Sequence, residues 1–361
     1  MKNLMKLDEN VILSLRQLYR GYGYSQFKMS KFEPYDLYMQ NKEFLVSDGV
    51  ITFTDTDGTL MALKPDVTLS IVKNYRKDQS PLQKVCYNES VYRIAGAGKT
   101  YREIMQTGLE CLGNVGTYEI SEVLCLAIKS LQTITDKFML DLSHMGIVSK
   151  LLSELKLSDE TASEVLRYLG EKNKDAVAAL LDNDSASRLT ALMDICGPID
   201  EVLPQLTRSF SCEAVYQLTV LHGVLKACGL SQYVYLDFSI VSDRNYYNGF
   251  VFRGYVEGIP TAILAGGQYD KLMEKMNKQA KGVGFAVYLD QLELLDNRKA
   301  KYDIDTVLLY DENADLVSLA VAAQELSREG VLLLKQLPPH LRYRKLMRSE
   351  NGRLILVEEN S

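Results

Sequence analysis

Metal-ligand and disulfide patterns are missing from this chain. Its six cysteines (Cys86, Cys111, Cys125, Cys196, Cys212 and Cys228) are scattered and form no C-x-x-C pair. That argues against a zinc site and a disulfide framework, and for a reducing cytosol. Only three histidines occur, His144, His222 and His340, far apart and without ligand spacing, so each reads as a structural residue. Positive charge is not in excess either. With 41 Lys and Arg against 47 Asp and Glu, a net charge of -6, the chain lacks the basic footprint that nucleic-acid binding leaves. The cluster Arg342, Arg344, Lys345, Arg348 and Arg353 is a local exception, expected as the solvated face of a helix. No apolar run is long enough to span a bilayer, and residues 1–9 have no signal-peptide core. These absences predict a soluble, cytoplasmic protein with no metal, no cofactor, and no membrane or nucleic-acid partner. Internal repeats and low-complexity tracts are absent as well.

What is present is globular: 361 residues, 47% hydrophobic and 24% charged, enough for two or three domains. Val11, Leu15, Leu18 and Tyr19 recur at helical spacing and stop at Gly21 and Gly23, predicting an opening amphipathic helix. Strand-like runs at 49–54 and 60–63 flank Asp57-Gly58, a hairpin signal, and Pro65 is expected to open a helix through Asn74. Two long strands are expected between Gln83 and Gly113 around the loop 95–99, then a helix at 118–135 and a strand at 137–143. From about Met145 to Gly229 the chain is rich in Leu, Ala, Glu and Lys at helical spacing, with breaks at Gly170, 182–184 and Gly197-Pro198. This predicts several short helices inserted between strands. Strands return at 233–240, 249–256, 261–264 and 283–289. The charged run 296–301 looks like a linker. Beyond it the pattern predicts strand 304–309, helix 314–328 capped by Gly330, strand 331–334, a helix after Pro339 and strand 353–357, an α/β unit.

Within 100–112, a period of two sets Arg102, Gln106, Gly108 and Glu110 on one face, with Met105, Leu109 and Cys111 on the other. By pattern alone this is a sheet with one wet face. Glu89 and Arg93, on one face of the preceding strand, read as a cross-turn ion pair worth little.

Five ordered segments change that reading. Residues 85–93 (Val-Cys-Tyr-Asn-Glu-Ser-Val-Tyr-Arg), a glycine-rich loop and residues 101–110 (Tyr-Arg-Glu-Ile-Met-Gln-Thr-Gly-Leu-Glu) resemble motif 2 of the histidyl-tRNA synthetases, a class II synthetase family. Residues 283–292 resemble motif 3. Residues 63–68 (Leu-Lys-Pro-Asp-Val-Thr), 245–252 (Asn-Tyr-Tyr-Asn-Gly-Phe-Val-Phe) and 266–272, a glycine turn before a helix, match three further elements. The resemblance covers roughly residues 10 to 295. It implies that Arg93 contacts substrate phosphate and carboxylate, and that Asp66 and Thr68 hold an amino acid's ammonium group. It also places Gln106 and Glu110 at the histidine side chain, with Tyr246 and Tyr247 bordering the imidazole. Those groups are a complete inventory for histidine.

The departures are as informative. Gln291 stands where motif 3 has an arginine for the ATP phosphates, and an amide cannot replace a guanidinium against phosphate. Ser242 takes the place of an arginine used in activating the amino acid, and Gln268 that of the arginine in the glycine turn. Ala95 replaces a nucleotide-binding glutamate, and Ser30 the motif 1 proline. Tyr288 replaces a glycine, so its ring is expected to intrude on the adenine pocket. Together these changes remove the main electrostatic source of rate enhancement in adenylate formation.

A retained core with lost arginines and a shortened tail resembles the regulatory subunits of ATP phosphoribosyltransferase, a family of synthetase paralogues. The fold implied is α+β: a class II aminoacyl-tRNA synthetase-like antiparallel sheet flanked by helices over residues 1–295, with a helical insertion at about 145–229. A partial anticodon-domain-like α/β tail over 303–361 would follow. The resemblance further implies no catalysis, a homodimer through the core, and L-histidine as effector. The implied partner is the short-form ATP phosphoribosyltransferase catalytic subunit, at the first step of histidine biosynthesis. A divergent histidyl-tRNA synthetase or other amino-acid-activating enzyme, and a free-standing amino-acid sensor, stay open as alternatives.

Overall fold

The computed structural model describes residues 7–360 apart from 46–48, 78–79, 96–99, 242–245, 296–301, 329 and 351–352. The linker expected at 296–301, most of the motif 2 loop, and Ser242 therefore lie outside the described residues. In chain order the elements are α1 (Leu7–Gly21), β1 (Ser25–Gln26), β2 (Phe32–Pro34), α2 (Tyr35–Met39), β3 (Thr52–Thr54), β4 (Leu60–Leu63), α3 (Thr68–Asn74), β5 (Leu82–Ala95), β6 (Thr100–Gly113), α4 (Thr117–Ile134) and β7 (Phe138–His144). Then come α5 (Met145–Glu154), α6 (Asp159–Gly170), α7 (Lys174–Leu180), α8 (Asn183–Asp194), β8 (Cys196–Pro198), α9 (Ile199–Ser209), α10 (Glu213–Ala227), β9 (Val234–Asp237), β10 (Phe250–Val256), β11 (Leu264–Gln268), α11 (Asp270–Lys275) and β12 (Lys281–Tyr288). The last are β13 (Ile304–Leu309), α12 (Leu316–Leu326), β14 (Val331–Leu334), β15 (Tyr343–Glu350) and β16 (Arg353–Glu359). They fall in two compact units, one from Asp8 to Leu295 and one holding the residues from Tyr302 onward.

The first unit is organised by a sheet in the order β1-β5-β6-β12-β11-β10-β7-β9-β8. From β5 to β7 every neighbouring pair is antiparallel, while β1 and β9 add in parallel. A hairpin of β5 and β6, in register from Leu82 opposite Gly113 to Ala95 opposite Thr100, supplies two of the longest strands. One face is covered by α4. Its Ile120, Val123, Leu124, Ala127, Ile128 and Leu131 recur at helical spacing and are buried, the stripe that an amphipathic helix lays on a core. Glu119 accepts a hydrogen bond from the Gly116 amide at 2.8 Å, satisfying a free donor at the start of α4. The α1 helix buries Val11, Leu15 and Tyr19, and the Tyr19 hydroxyl meets that of Ser130 at 2.9 Å, tying α1 to α4. A separate small sheet has the order β2-β4-β3.

Four expectations about this unit change. The sheet does not have a wet face at β6: every residue from Gln106 to Gly113 is buried, and only its hairpin end is largely open. As a central strand, β6 is covered on both sides. Pro65 does not open α3, which begins at Thr68, because the Pro65 carbonyl accepts from Arg93 and the Asp66 carboxylate accepts from the Leu69 amide at 2.8 Å. Gly266 and Gly267 are not a turn but part of β11, opposite Phe285 and Gly284. Strand packing requires glycine there, since a β-carbon on Gly266 would lie 2.4 Å from the Gly284 carbonyl oxygen. Finally, Gly197-Pro198 breaks the insertion as expected, but as the short strand β8 at the sheet edge. The insertion is otherwise helical, and His144, Ser158, Asn173 and Asp182 cap the starts of α5 to α8 in turn.

In the second unit β13 lies between β14 and β15, parallel to both, and β16 closes the other side of β15 in antiparallel pairing. The helix expected after Pro339 is instead the strand β15. Two neighbours complete its hydrogen-bond ladder, and four of the basic residues read as a helix face, Arg342, Arg344, Lys345 and Arg348, have acidic partners. Arg344 holds the Asp305 carboxylate through two hydrogen bonds of 2.7 Å, and Arg342 pairs with Asp303, Lys345 with Glu359 and Arg348 with Glu350. The α12 helix is shorter than 314–328, because Asp315 caps the Val317 and Ser318 amides and starts it at Leu316. Gly330 takes the positive φ (92°) suited to a glycine after a helix.

Candidate functional site

Alternation along four adjacent strands gathers one set of residues on one face of the large sheet. Tyr87 on β5 stands opposite Gly108 on β6, Gln106 opposite Tyr288 on β12, and Glu110 opposite Gly284. Ala286 and Ala265 continue the same face. Small residues in this row leave a hollow of about 230 Å³, closed by Glu43 to Leu45, Asp66 to Thr68, Tyr246, Tyr247 and Tyr269. All seven residues expected at the site, Asp66, Thr68, Arg93, Gln106, Glu110, Tyr246 and Tyr247, line it. Asp66, Thr68, Arg93, Gln106 and Glu110 are buried. Arg102, on the same strand face, is exposed at the hairpin end.

Glu110 sits at the bottom of the network. Its Oε1 accepts from the Thr68 hydroxyl at 2.8 Å and its Oε2 from the Tyr269 hydroxyl. Burial pushes this carboxyl up to about 8, against those two hydrogen bonds and with the nearby Asp66 charge adding to the rise. At neutral pH it therefore keeps a proton, and it can donate to a bare ring nitrogen as well as accept from a ring N–H. Asp66 is also raised by burial, which outweighs the Arg93 charge and the backbone amides of Leu69 and Thr68. Arg93 lies 3.7 Å from Asp66 Oδ2 and donates its Nε to the Pro65 carbonyl at 2.6 Å. Its charge also acts on the Tyr288 hydroxyl, partly offsetting the rise that burial causes there. Glu89 is not its partner, as the pattern had implied. That carboxylate pairs with Lys64, whose side chain is almost wholly buried.

One donor in the cavity is unspent. The Gln106 side-chain nitrogen is buried and has no hydrogen-bond partner. Such a group costs free energy unless a ligand or water satisfies it. With Asp66 and Arg93 offering opposite charges, and Glu110, Gln106 and five tyrosines around the remaining space, the hollow has the chemistry of a small zwitterion site bearing a polar ring.

Sequence reasoning missed Tyr269, Tyr87 and the Glu43–Leu45 segment. Tyr269 had a usable signal: Ala265, Gly267 and Tyr269 alternate, and the Tyr269 amide still donates to the Gly282 carbonyl at 2.8 Å, prolonging the ladder beyond β11. The Glu43–Leu45 segment arrives from distant chain with no local pattern. Among the departures, Gln291 accepts from the Thr261 hydroxyl at 2.6 Å, and Gln268 donates to Asp270 at 2.7 Å. Neither lines the cavity, whereas Tyr288 forms part of its wall. His144 bridges the Gly146 amide and Gln217, and burial lowers it to about 4. His222 pairs with Asp200. Among the described residues no cluster of three or more His, Cys, Asp or Glu could hold a metal, and no helix is long and apolar enough to cross a membrane.

An antiparallel sheet with this pocket on one face and α4 on the other defines a class II synthetase core. The family model for histidyl-tRNA synthetase matches residues 4–292, and the chain belongs to that family. An ATP phosphoribosyltransferase regulatory subunit from Caldanaerobacter subterraneus subsp. tengcongensis is 29% identical over 310 residues, 82% of this chain and 80% of its own. A crystal structure described as an ATP phosphoribosyltransferase regulatory subunit/histidyl-tRNA synthetase from Bacillus halodurans C is 25% identical, with a TM-score of 0.75 over 92% of this chain and 90% of that one. The ATP phosphoribosyl transferase complex from Thermotoga maritima contains a chain that is 22% identical, with a TM-score of 0.63 over 79% and 98% of the two chains, a likeness of fold. The resemblance to regulatory subunits carried by the motifs is thus met again across most of the chain.

Proposed function

We propose that this chain is a regulatory subunit of ATP phosphoribosyltransferase: a synthetase paralogue without synthetase chemistry, which assembles with a short-form catalytic subunit, supports its activity and transmits inhibition by histidine. The observation that carries the proposal is the contrast between two sets of residues. Asp66, Thr68, Arg93, Gln106 and Glu110 face one cavity with a donor left unspent. The amides Gln268 and Gln291, at the positions of two family arginines, are engaged with Asp270 and Thr261 instead. An amino-acid pocket is kept where the means of gripping ATP is reduced, and binding without activation suits an effector. The names of the relatives agree with this reading.

In the bound state Asp66 and Thr68 receive the ammonium group, Arg93 the carboxylate, and Glu110 and Gln106 the imidazole, with Tyr246 and Tyr247 beside the ring. The chain pairs with a second copy through its core. In support of that, Phe32, Phe53 and Leu60 of the small sheet are exposed, and the two rings meet edge to face at 5.6 Å. Neither RNA nor a membrane is a partner in this account. Co-purification with the short catalytic subunit, followed by its activity assay with and without this chain, tests the proposal. Stable association with a rise in activity supports it. Two proteins that elute apart, with activity unchanged, contradict it.

A further inference from the structure

On the cavity face of β12 the side chains grow along the strand, from Gly284 through Ala286 to Tyr288, and all three line the hollow. Gly284 stands opposite Glu110, Ala286 opposite Gly108 and Tyr288 opposite Gln106. Glu110 and Gln106 are four residue steps apart on an extended strand, so the bare end of the floor and its Tyr288 end are about 13 Å apart. Arg93 belongs to the Tyr288 end. It pairs with Arg102, beyond Gln106 and away from Glu110, and it lines the same cavity. Its Nε is spent on the Pro65 carbonyl at 2.6 Å, which leaves the terminal nitrogens for Asp66 and a ligand. The backbone of Tyr288 is pinned. Its amide donates to the Ile263 carbonyl at 2.8 Å, and Leu289 and Leu292, which follow it, are buried.

We propose that Tyr288 is a specificity-determining residue, which restricts this site to histidine with a free α-carboxylate. The proposal deepens the reading of the cavity as a histidine site and rests on it. With the imidazole at Glu110, the amino-acid head lies toward Arg93, where the floor rises into the Tyr288 ring. A bare carboxylate stops short of the ring, pairs with Arg93 and accepts from the Tyr288 hydroxyl. A substituent on the carboxyl, as in an ester or a substituted amide, runs into the ring. Such a derivative also lacks the charge that Arg93 opposes. Selection thus combines an attractive contact for the free acid with a clash against its derivatives. The chain thereby reads the free amino acid and ignores histidine joined through its carboxyl to another group.

The test is calorimetric titration of the full chain with histidine, histidinamide and the benzylamide of histidine. Histidinamide removes the charge and keeps the size, whereas the benzylamide removes the charge and adds bulk. Wild type should bind histidinamide roughly tenfold to a hundredfold more weakly than histidine, and the benzylamide not detectably. Tyr288→Gly should bind the benzylamide at least as tightly as histidinamide, and Tyr288→Ala serves if the glycine variant does not fold. Tyr288→Phe keeps the wall, so it should still exclude the benzylamide while binding histidine about threefold to tenfold more weakly. A wild type that binds neither histidine nor histidinamide shows that the cavity is not a histidine site, and the proposal falls with that reading. A wild type that binds histidine yet takes the benzylamide as readily as histidinamide overturns the specificity proposal alone. So does continued exclusion of the benzylamide by a folded Tyr288→Gly or Tyr288→Ala that still binds histidinamide.

Discussion

Gly284 gives the Glu110 carboxyl its room: a β-carbon at Gly284 would lie 1.8 Å from Glu110 Oε2. The two residues stand opposite each other on β12 and β6, so the bareness of one strand sets the position of the acid on the next. Gly284→Ala should therefore displace the carboxyl from Tyr269 and Thr68, weakening histidine binding by roughly tenfold to a hundredfold, as leaving a buried polar group of the ligand without its partner does. Overpacking should also lower stability by about 1–3 kcal/mol. Calorimetric titration with histidine and thermal melts check both effects, and unchanged affinity would show that Glu110 does not touch the ligand.

The raised Glu110 carboxyl gives stability a specific pH dependence. Its unfolded value is about 4.3 and its folded value about 8. The folded chain therefore holds a proton that the unfolded chain releases. This contribution is fully present below the unfolded value and is lost as pH rises through about 8. Between those values the slope is at most about 1.4 kcal/mol per pH unit. Glu110→Gln should lack that part of the slope. Denaturant unfolding of both proteins from pH 5 to 8 measures it; parallel curves would contradict the assignment.

Asp66 has two tasks that substitution separates. Its charge faces Arg93, and its Oδ1 accepts from the Leu69 amide at the start of α3. Asp66→Asn keeps an oxygen for the amide but removes the charge, so it should lose histidine affinity with little loss of stability. Asp66→Ala should lose affinity and about 1 kcal/mol of stability as well. Equal melting temperatures for the two variants would show that the cap contributes nothing.

The chain alone should not make histidyl-adenylate. Gln291→Arg should not restore it either, because that position lies off the cavity, hydrogen-bonded to Thr261, and a single cation cannot replace several. Histidine-dependent exchange of pyrophosphate into ATP, well above background, would revive the synthetase alternative.

Much of the site could be read from the chain because it rests on period-two strands: Gln106, Gly108 and Glu110 declare their common face by spacing alone. Roles at Asp66, Thr68, Tyr246 and Tyr247 needed the family resemblance, since no local pattern links those segments to β6. The errors have physical causes. Gly266-Gly267 looks like a turn until the close approach of β12 is known, and β15 looks helical until Asp305 draws Arg344 across the sheet. Pro65 suits the first turn of a helix, but the Asp66 cap moves the start to Thr68.

The central claim is that histidine acts on the assembly through this cavity. Inhibition requires that histidine bind two states of the complex unequally, since equal affinity shifts nothing. The most direct measurement is the histidine inhibition curve of the complex formed with the short catalytic subunit, carrying Glu110→Ala or Asp66→Ala, beside calorimetry on each variant chain alone. The account predicts that both variants lose histidine binding and that the inhibition curve moves to higher histidine by a similar factor. Loss of binding in the isolated chain with undiminished inhibition of the complex would place the sensor on the catalytic subunit and contradict the account.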